Sequence, residues 1–241
     1  MTITETLNLT QQKVIEMHDA TSLTPDLVYK RRFKHDQPHR SAMWNVLCRE
    51  FFQQYISENS CVLEIAAGHC EFINSIIAKR RIAVDINPDI HNHATSGVEV
   101  IENSAMHLDL IDDATADVAF VSNFFEHINK PDIVSCLRSI NRVLKPGGQL
   151  LILQPNCRYC WKDYWMFFDH VTPIDDRALV EVLELLDFEI YRCIPRFLPY
   201  STKQRLPQSP RIIKLYLKFT FAWYIFGKQA FICARKPLTQ P

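Results

Sequence analysis

The stretch Val62-Leu63-Glu64-Ile65-Ala66-Ala67-Gly68-His69-Cys70-Glu71-Phe72, with Ala83-Val84-Asp85-Ile86-Asn87 beyond it, decides the reading of this chain. A short apolar run carrying an acid, a turn, a helix-length segment and a second apolar run ending in an acid describe strand, helix and strand. The same texture repeats outward. Strands are predicted at Cys61–Ala66, Ile82–Ile86, Val98–Ile101, Asp117–Ser122, Gln149–Gln154, Phe188–Cys193 and Gln229–Ala234. Helices are predicted at Cys70–Lys79, Pro131–Leu144 and Pro173–Leu186, with Lys145-Pro146-Gly147-Gly148 stopping the second and Thr172 capping the third. Strands alternating with such helices form βαβ units, so the expected fold class is α/β: a doubly wound, mostly parallel sheet covered on both faces.

At 241 residues, 47% apolar and 22% charged, the chain has the make-up of one globular domain spanning 1–241. Within it, residues 1–60 read as an N-terminal helical cap that includes the basic, aromatic patch Tyr29–Lys34 and a turn-like His35–His39 segment. Residues 61–194 read as the core, 195–228 as an insertion and 229–236 as the last strand. Net charge is zero, yet from Tyr191 onward there are ten Lys or Arg and no acid. That asymmetry points to an anionic partner: a phosphorylated substrate, a membrane surface or nucleic acid.

The longest nearly apolar run, Phe219–Phe226, falls far short of the roughly 20 residues that cross a bilayer. Met1–Gln12 is polar and carries neither a secretory nor a transit pattern, so a cytoplasmic location is expected, with peripheral membrane attachment compatible. Eight scattered cysteines read as buried thiols, with no disulfides expected. Cys157 and Cys160 lack the further ligands of a zinc site, and no metal is expected.

Ligands of open α/β sheets bind outside the carboxyl ends of the strands. There Asp85 can accept two hydrogen bonds from a ribose diol, while Gly68 has no Cβ to obstruct a close approach. The turn has one glycine and lacks the Gly-x-Gly-x-x-Gly form that cradles a dinucleotide's pyrophosphate.

Two further segments are more specific: Asp117-Val118-Ala119-Phe120-Val121-Ser122-Asn123-Phe124-Phe125-Glu126-His127-Ile128, and Ile140-Asn141-Arg142-Val143-Leu144-Lys145-Pro146-Gly147-Gly148 running into Gln149-Leu150-Leu151-Ile152. Together with the first turn, over about residues 60–190, they resemble the class I S-adenosylmethionine-dependent methyltransferases, and within them the small-molecule group that includes quinone-biosynthesis enzymes. The resemblance implies a Rossmann-like sheet closed by an antiparallel last strand, with S-adenosylmethionine as cofactor. It implies that Glu64, Ala66 and Gly68 hold the methionine part, Asp85 and Ile86 the ribose, and Ser104 and Ala105 the adenine. Asn123, after the fourth strand, would face the reactive methyl. The family usually has glycine where Ala66 and Cys70 stand, and the two are tolerable there if their backbones keep negative φ.

A hydroxyl acceptor must lose a proton, and His127 and His170, the latter beside Asp169, are the catalytic candidates. The alternative is that His127 makes a helix-start contact and Asp169-His170 fixes a loop. The aromatic stretch Tyr159–Phe168 reads as a loop that either walls an acceptor pocket or packs on the cap. A helix over Arg211–Phe226 places Arg211, Lys214 and Lys218 on one face, which suits either an anionic membrane surface or packing on the domain or a second copy.

The expected function is methyl transfer to a small-molecule acceptor, such as a hydroxyl of a glycan, phosphorylated or lipid-linked intermediate. A non-catalytic cofactor-binding or scaffold role is the alternative, motivated by the two missing glycines. No nucleic-acid partner is expected, because no added RNA-binding module is evident. A homo-oligomer stays open.

Overall fold

A computed structural model of the protein describes residues 37–200 and 209–238; the patch Tyr29–Lys34 and most of the first 60 residues lie outside them. The elements, in chain order, are α1 (Gln37–Glu50), β1 (Cys61–Ile65), α2 (Glu71–Ser75), β2 (Arg80–Asp85), α3 (Ile90–His93), β3 (Val98–Glu102) and β4 (Ala116–Ser122). Then follow α4 (Lys130–Val143), β5 (Leu144–Pro155), α5 (Cys157–Tyr164), α6 (Asp176–Leu185), β6 (Glu189–Leu198), α7 (Pro210–Lys218), α8 (Thr220–Phe226) and β7 (Gln229–Arg235).

The strands form one sheet in the order β3-β2-β1-β4-β5-β7-β6. The first five are parallel, and β7 runs antiparallel between β5 and β6. Strand order reverses between β1 and β4, the crevice at which doubly wound sheets take their ligands. All five residues of β1 are buried, as a central parallel strand requires.

Two apolar layers result from the alternation of side chains along the strands. On one face, Val62, Phe120, Leu151 and Phe231 meet Trp44, Leu47 and Phe52 with the inner sides of α7 and α8. Phe72 stacks on Phe120 with ring centres 3.7 Å apart. On the other face, Leu63, Val121 and Ile152 meet Leu137 and Ile140 of α4 and Leu179 and Leu183 of α6.

Several boundaries differ from expectation. The helix predicted over Cys70–Lys79 stops at Ser75, because the Gln53 side chain takes over both backbone groups of Ile77: Oε1 accepts from its N–H at 2.9 Å and Nε2 donates to its carbonyl at 2.8 Å. The Lys145–Gly148 turn is instead the start of β5, with the Gly147 N–H donating to the Lys236 carbonyl and the Lys236 N–H to the Gly148 carbonyl, both at 2.9 Å. The cap of α6 is Asp175 and not Thr172, since its carboxylate accepts from the backbone N–H groups of Arg177 and Ala178. Thr172 donates its hydroxyl to the Ile128 carbonyl instead.

The aromatic stretch expected as a loop is largely helix α5, started by Asn156, whose side chain accepts from the Arg158 N–H. In the insertion, one expected helix is two, broken at Phe219, where the Trp223 indole N–H donates to the Tyr216 carbonyl at 2.9 Å. Gly227 brings the insertion back into the sheet where there is no space for a side chain: a Cβ there would meet the Arg196 carbonyl carbon and the Trp223 oxygen at 2.5 Å.

Candidate active site

The carboxyl ends of β1, β2 and β3 are stitched together by backbone. The Ala67 N–H donates to the Val84 carbonyl and the Asn103 N–H to the Asp85 carbonyl, each at 3.0 Å. Asp85 closes the arrangement, as its carboxylate accepts from the Gly68 N–H at 2.8 Å and from the Asn87 N–H at 2.9 Å. Gly68 and Asp85 are thus neighbours on adjacent strand ends.

The turn between β1 and α2 departs from expectation in its backbone. Ala66 has φ +52° and Cys70 φ +57°, with Gly68 at +50°, so all three sit in the left-handed region that favours glycine. The condition under which Ala66 and Cys70 would fit without strain, negative φ, is thus not met. The chain keeps the shape of a glycine turn with residues that strain to adopt it, and such strain collects at ligand sites.

Glu64 is buried, and its Oε2 accepts from the Ile73 N–H at 3.0 Å. Burial pushes its carboxyl well above the ordinary range, with Glu71 and Asp85 adding to the effect and the Ile73 bond opposing it. At the start of α2, Glu71 makes a two-point ion pair with Arg40 of α1, at 2.7 and 2.9 Å. Ile86 follows β2 and is 58% exposed. Ser104 has its Oγ turned to the Met106 N–H at 3.3 Å, and Ala105 is buried in the apolar layer beneath.

The register sets Ile65 beside Val121, so the turn after β1 lies level with the end of β4. Asn123 leaves β4 at φ +48° and donates its N–H to the Leu153 carbonyl at 2.9 Å. A short turn, Phe125–His127, then presents Glu126 and His127.

Glu126 anchors the segment after α5: its carbonyl accepts from the N–H groups of Val171 and Thr172, at 2.8 and 3.1 Å. The rings of His127 and His170 meet edge to face with centres 4.9 Å apart, so the two predicted histidines are brought together. Nδ1 of His127 lies 3.1 Å from the Asp169 carbonyl oxygen and 3.3 Å from its carboxylate. Those acceptors suit a ring that carries its proton on Nδ1, the tautomer in which Nε2 has the lone pair. Nε2 is 3.7 Å from Glu126 Oε1. Glu126 is 1% exposed, its Oε2 accepts from Gln154 Nε2 at 2.7 Å, and burial pushes its carboxyl up while His127 pulls it down. The rings of Tyr164 and Phe167 pack on His170, with centres 4.8 and 5.2 Å away.

Glu126, Gln154 and the Arg40–Glu71 pair are absent from the residues singled out in the sequence. Glu126 had a signal, since it immediately precedes His127 in the Glu-His turn. Two open clefts of about 570 Å³ each, one beside Asp113 and Arg142 and one beside Tyr55 and Lys145, lie toward the amino ends of the strands and away from this cluster.

Residues 63–152 match the family described as "Methyltransferase domain". The chain is similar to the demethylmenaquinone methyltransferase of Listeria welshimeri, 29% identical over 139 residues, which are 49% of this chain and 56% of that protein. It is also similar to the demethylmenaquinone methyltransferase of Bacillus subtilis, 36% identical over 81 residues, 32% of this chain and 34% of that one. The chain thus spans about half the length, or less, of the curated relatives it matches. In fold it is similar to a SAM-dependent methyltransferase from Archaeoglobus fulgidus, with a TM-score of 0.61 and 21% identity, covering 88% of this chain and 100% of that one.

Proposed function

We propose that the chain is a class I S-adenosylmethionine-dependent methyltransferase, a reading supported by the match of residues 63–152 to a methyltransferase domain, and that it moves the sulfonium methyl onto a hydroxyl of a small-molecule acceptor. The acceptor oxygen forms the new C–O bond as the C–S bond breaks, the electron pair stays on sulfur, and the hydroxyl proton goes to His127 Nε2. Alignment supplies much of such an in-line displacement, and a positioned base assists it. The observation that carries this reading is the His127 ring, oriented by Asp169 through Nδ1 and packed against His170 level with the cofactor turn.

For the cofactor, the reading assigns the ribose diol to Asp85, whose oxygens retain free lone pairs beyond the Gly68 and Asn87 bonds. Glu64, Ala66 and Gly68 bound the methionine end, Ile86 covers the outer side of the ribose, and Ser104 with Ala105 borders the adenine. Asn123 faces the methyl. The strained turn supports cofactor binding over a scaffold role, because left-handed backbone at non-glycine residues collects at ligand sites. Isothermal titration with S-adenosylmethionine tests this part; absence of binding heat overturns it.

The acceptor we assign is glycan, phosphorylated or lipid-linked, met at an anionic membrane surface. In support, α7 and α8 turn Leu217 and Trp223 inward, yet leave Leu215, Phe219, Phe221 (74% exposed), Tyr224 (71%) and Phe226 in solvent beside exposed Arg211 and Lys218. Aromatic residues flanked by basic ones suit a lipid headgroup boundary. Lys214 of the expected basic face instead pairs with Glu50 at 2.9 Å. The Arg196 guanidinium lies over Tyr159 of α5 and Tyr224 of α8, at 4.8 and 5.3 Å, and so ties this lobe to the aromatic wall near His170. No helix among the described residues is long and apolar enough to cross a membrane. Radiolabelled methyl transfer with lipid extract and with soluble glycans as separate acceptors tests the class; label in neither fraction refutes it.

A further inference from the structure

We propose that Glu126, His127 and His170 form a three-ligand site for a divalent first-row transition-metal ion at the acceptor end of the methyltransferase domain. One ligand atom from each residue falls within a group whose members all lie within 4.8 Å of one another. Glu126 and His127 come from the turn after β4, and His170 from the segment after α5 that Glu126 itself anchors through the Val171 and Thr172 N–H groups. The sheet therefore fixes the three together.

What surrounds Glu126 and His127 is what a metal centre needs. A ligating histidine is oriented by an acceptor on its other ring nitrogen, and His127 has the Asp169 carboxylate at 3.3 Å from Nδ1, leaving Nε2 for the ion. A ligating carboxylate is held by a hydrogen bond on its second oxygen, and Gln154 donates to Glu126 Oε2 at 2.7 Å, leaving Oε1 on the His127 side, 3.7 Å from Nε2. Glu126 and His170 are 1% and 6% exposed, and a carboxylate this deep calls for a positive partner. Metal–ligand bonds of about 2.0–2.1 Å put ligand atoms roughly 3.3–4.2 Å apart, so side-chain rotation of about 1 Å closes the cluster on an ion.

Two imidazoles and one carboxylate select zinc, iron(II), cobalt(II) or manganese(II) over magnesium or calcium, and three protein ligands leave positions open, as in catalytic centres. Bound there, the ion takes the acceptor oxygen as a further ligand and lowers its pKa, replacing His127 Nε2 as the agent that ionises the hydroxyl. That use rests on the methyl-transfer reading; the site does not.

The test uses the full chain without an affinity tag, stripped with EDTA and titrated with cobalt(II) followed by optical absorption, and with zinc(II) by calorimetry. One equivalent binds with visible ligand-field bands. His127→Ala abolishes the bands, and Asp169→Asn, which removes the orienting charge, weakens affinity about 10- to 100-fold. His93→Ala leaves both unchanged, which separates the site from the His69–His93 ring pair 4.3 Å apart near the cofactor turn. Circular dichroism checks folding, and should His127→Ala unfold, Asp169→Asn carries the test because its side chain is part-exposed. Absence of bands, or equal affinity in wild type and Asp169→Asn, overturns the proposal. S-adenosylmethionine titrated into the same samples keeps the readings apart: cofactor without metal sinks the ion alone, and metal without cofactor sinks methyl transfer alone.

Discussion

Replacing Ala66 by glycine is expected to stabilise the protein, whereas the same change at Ala67, one residue on, is expected to destabilise it. At Ala66 the left-handed backbone costs an ordinary residue about 1–2 kcal/mol, which glycine is spared. Glycine's extra freedom in the unfolded chain opposes this by about 0.5–1 kcal/mol. Loss of a half-buried methyl opposes it by about 0.4 kcal/mol, half of the ~0.8 kcal/mol for a buried carbon. Central values leave roughly 0.4 kcal/mol in favour of glycine. Ala67 is buried and outside the left-handed region, so it loses the full methyl and the entropy, roughly 1.5 kcal/mol, with no strain to relieve. The separation, about 2 kcal/mol, is sturdier than either value and corresponds to about 4–8 °C in melting temperature for a chain of this size. Differential scanning calorimetry on the two variants reads it directly. Equal losses at both positions would refute the strained-turn account.

Asp85→Asn still accepts the Gly68 N–H but loses the charge facing the diol; a charge-assisted bond of about 1.5–3 kcal/mol translates to roughly 10- to 100-fold weaker S-adenosylmethionine binding by calorimetry, and unchanged affinity counts against the ribose assignment. Glu64 has its folded-state carboxyl raised by burial, so its contribution to stability is complete below its unfolded value of about pH 4.3 and drains away as pH climbs through the folded value. Glu64→Gln keeps an acceptor for the Ile73 N–H, and its melting temperature should gain on wild type between acid and neutral pH; parallel curves contradict this. Phe221→Asp and Lys218→Glu should each lower pelleting with anionic vesicles while leaving cofactor binding intact, and undiminished pelleting removes α7 and α8 from the membrane.

The sheet and the meeting of Gly68 with Asp85 were legible because they depend on local signals. Apolar runs of strand length, an acid at the tip of β2 and Gly68 in the turn each act within a few residues, and the Gly68–Asp85 bond follows once β1 and β2 pair. What escaped depends on partners distant in sequence. The shortened α2 rests on Gln53, 24 residues before Ile77, and the break at Phe219 on an indole reaching back to Tyr216. The left-handed backbone at Ala66 and Cys70 was not legible, because residue type predicts relaxed backbone and only the folded turn shows the strain. The histidines were found individually, but Glu126 becomes meaningful only after the fold sets Asp169 on one side of His127 and Gln154 behind the carboxylate.

Gly227 constrains how this architecture can diversify. The segment from Pro210 to Phe226 could be exchanged for another as a cassette, since it leaves and rejoins the sheet within one antiparallel pair. Its downstream seam, however, tolerates no atom beyond the backbone, with the Arg196 carbonyl carbon at 2.5 Å from where one would be placed. Grafting experiments that keep the seam residue should yield folded chimeras that retain Arg196 over Tyr159, and those that place a side chain there should push Arg196 off Tyr159, uncoupling the outer lobe from the wall it leans on.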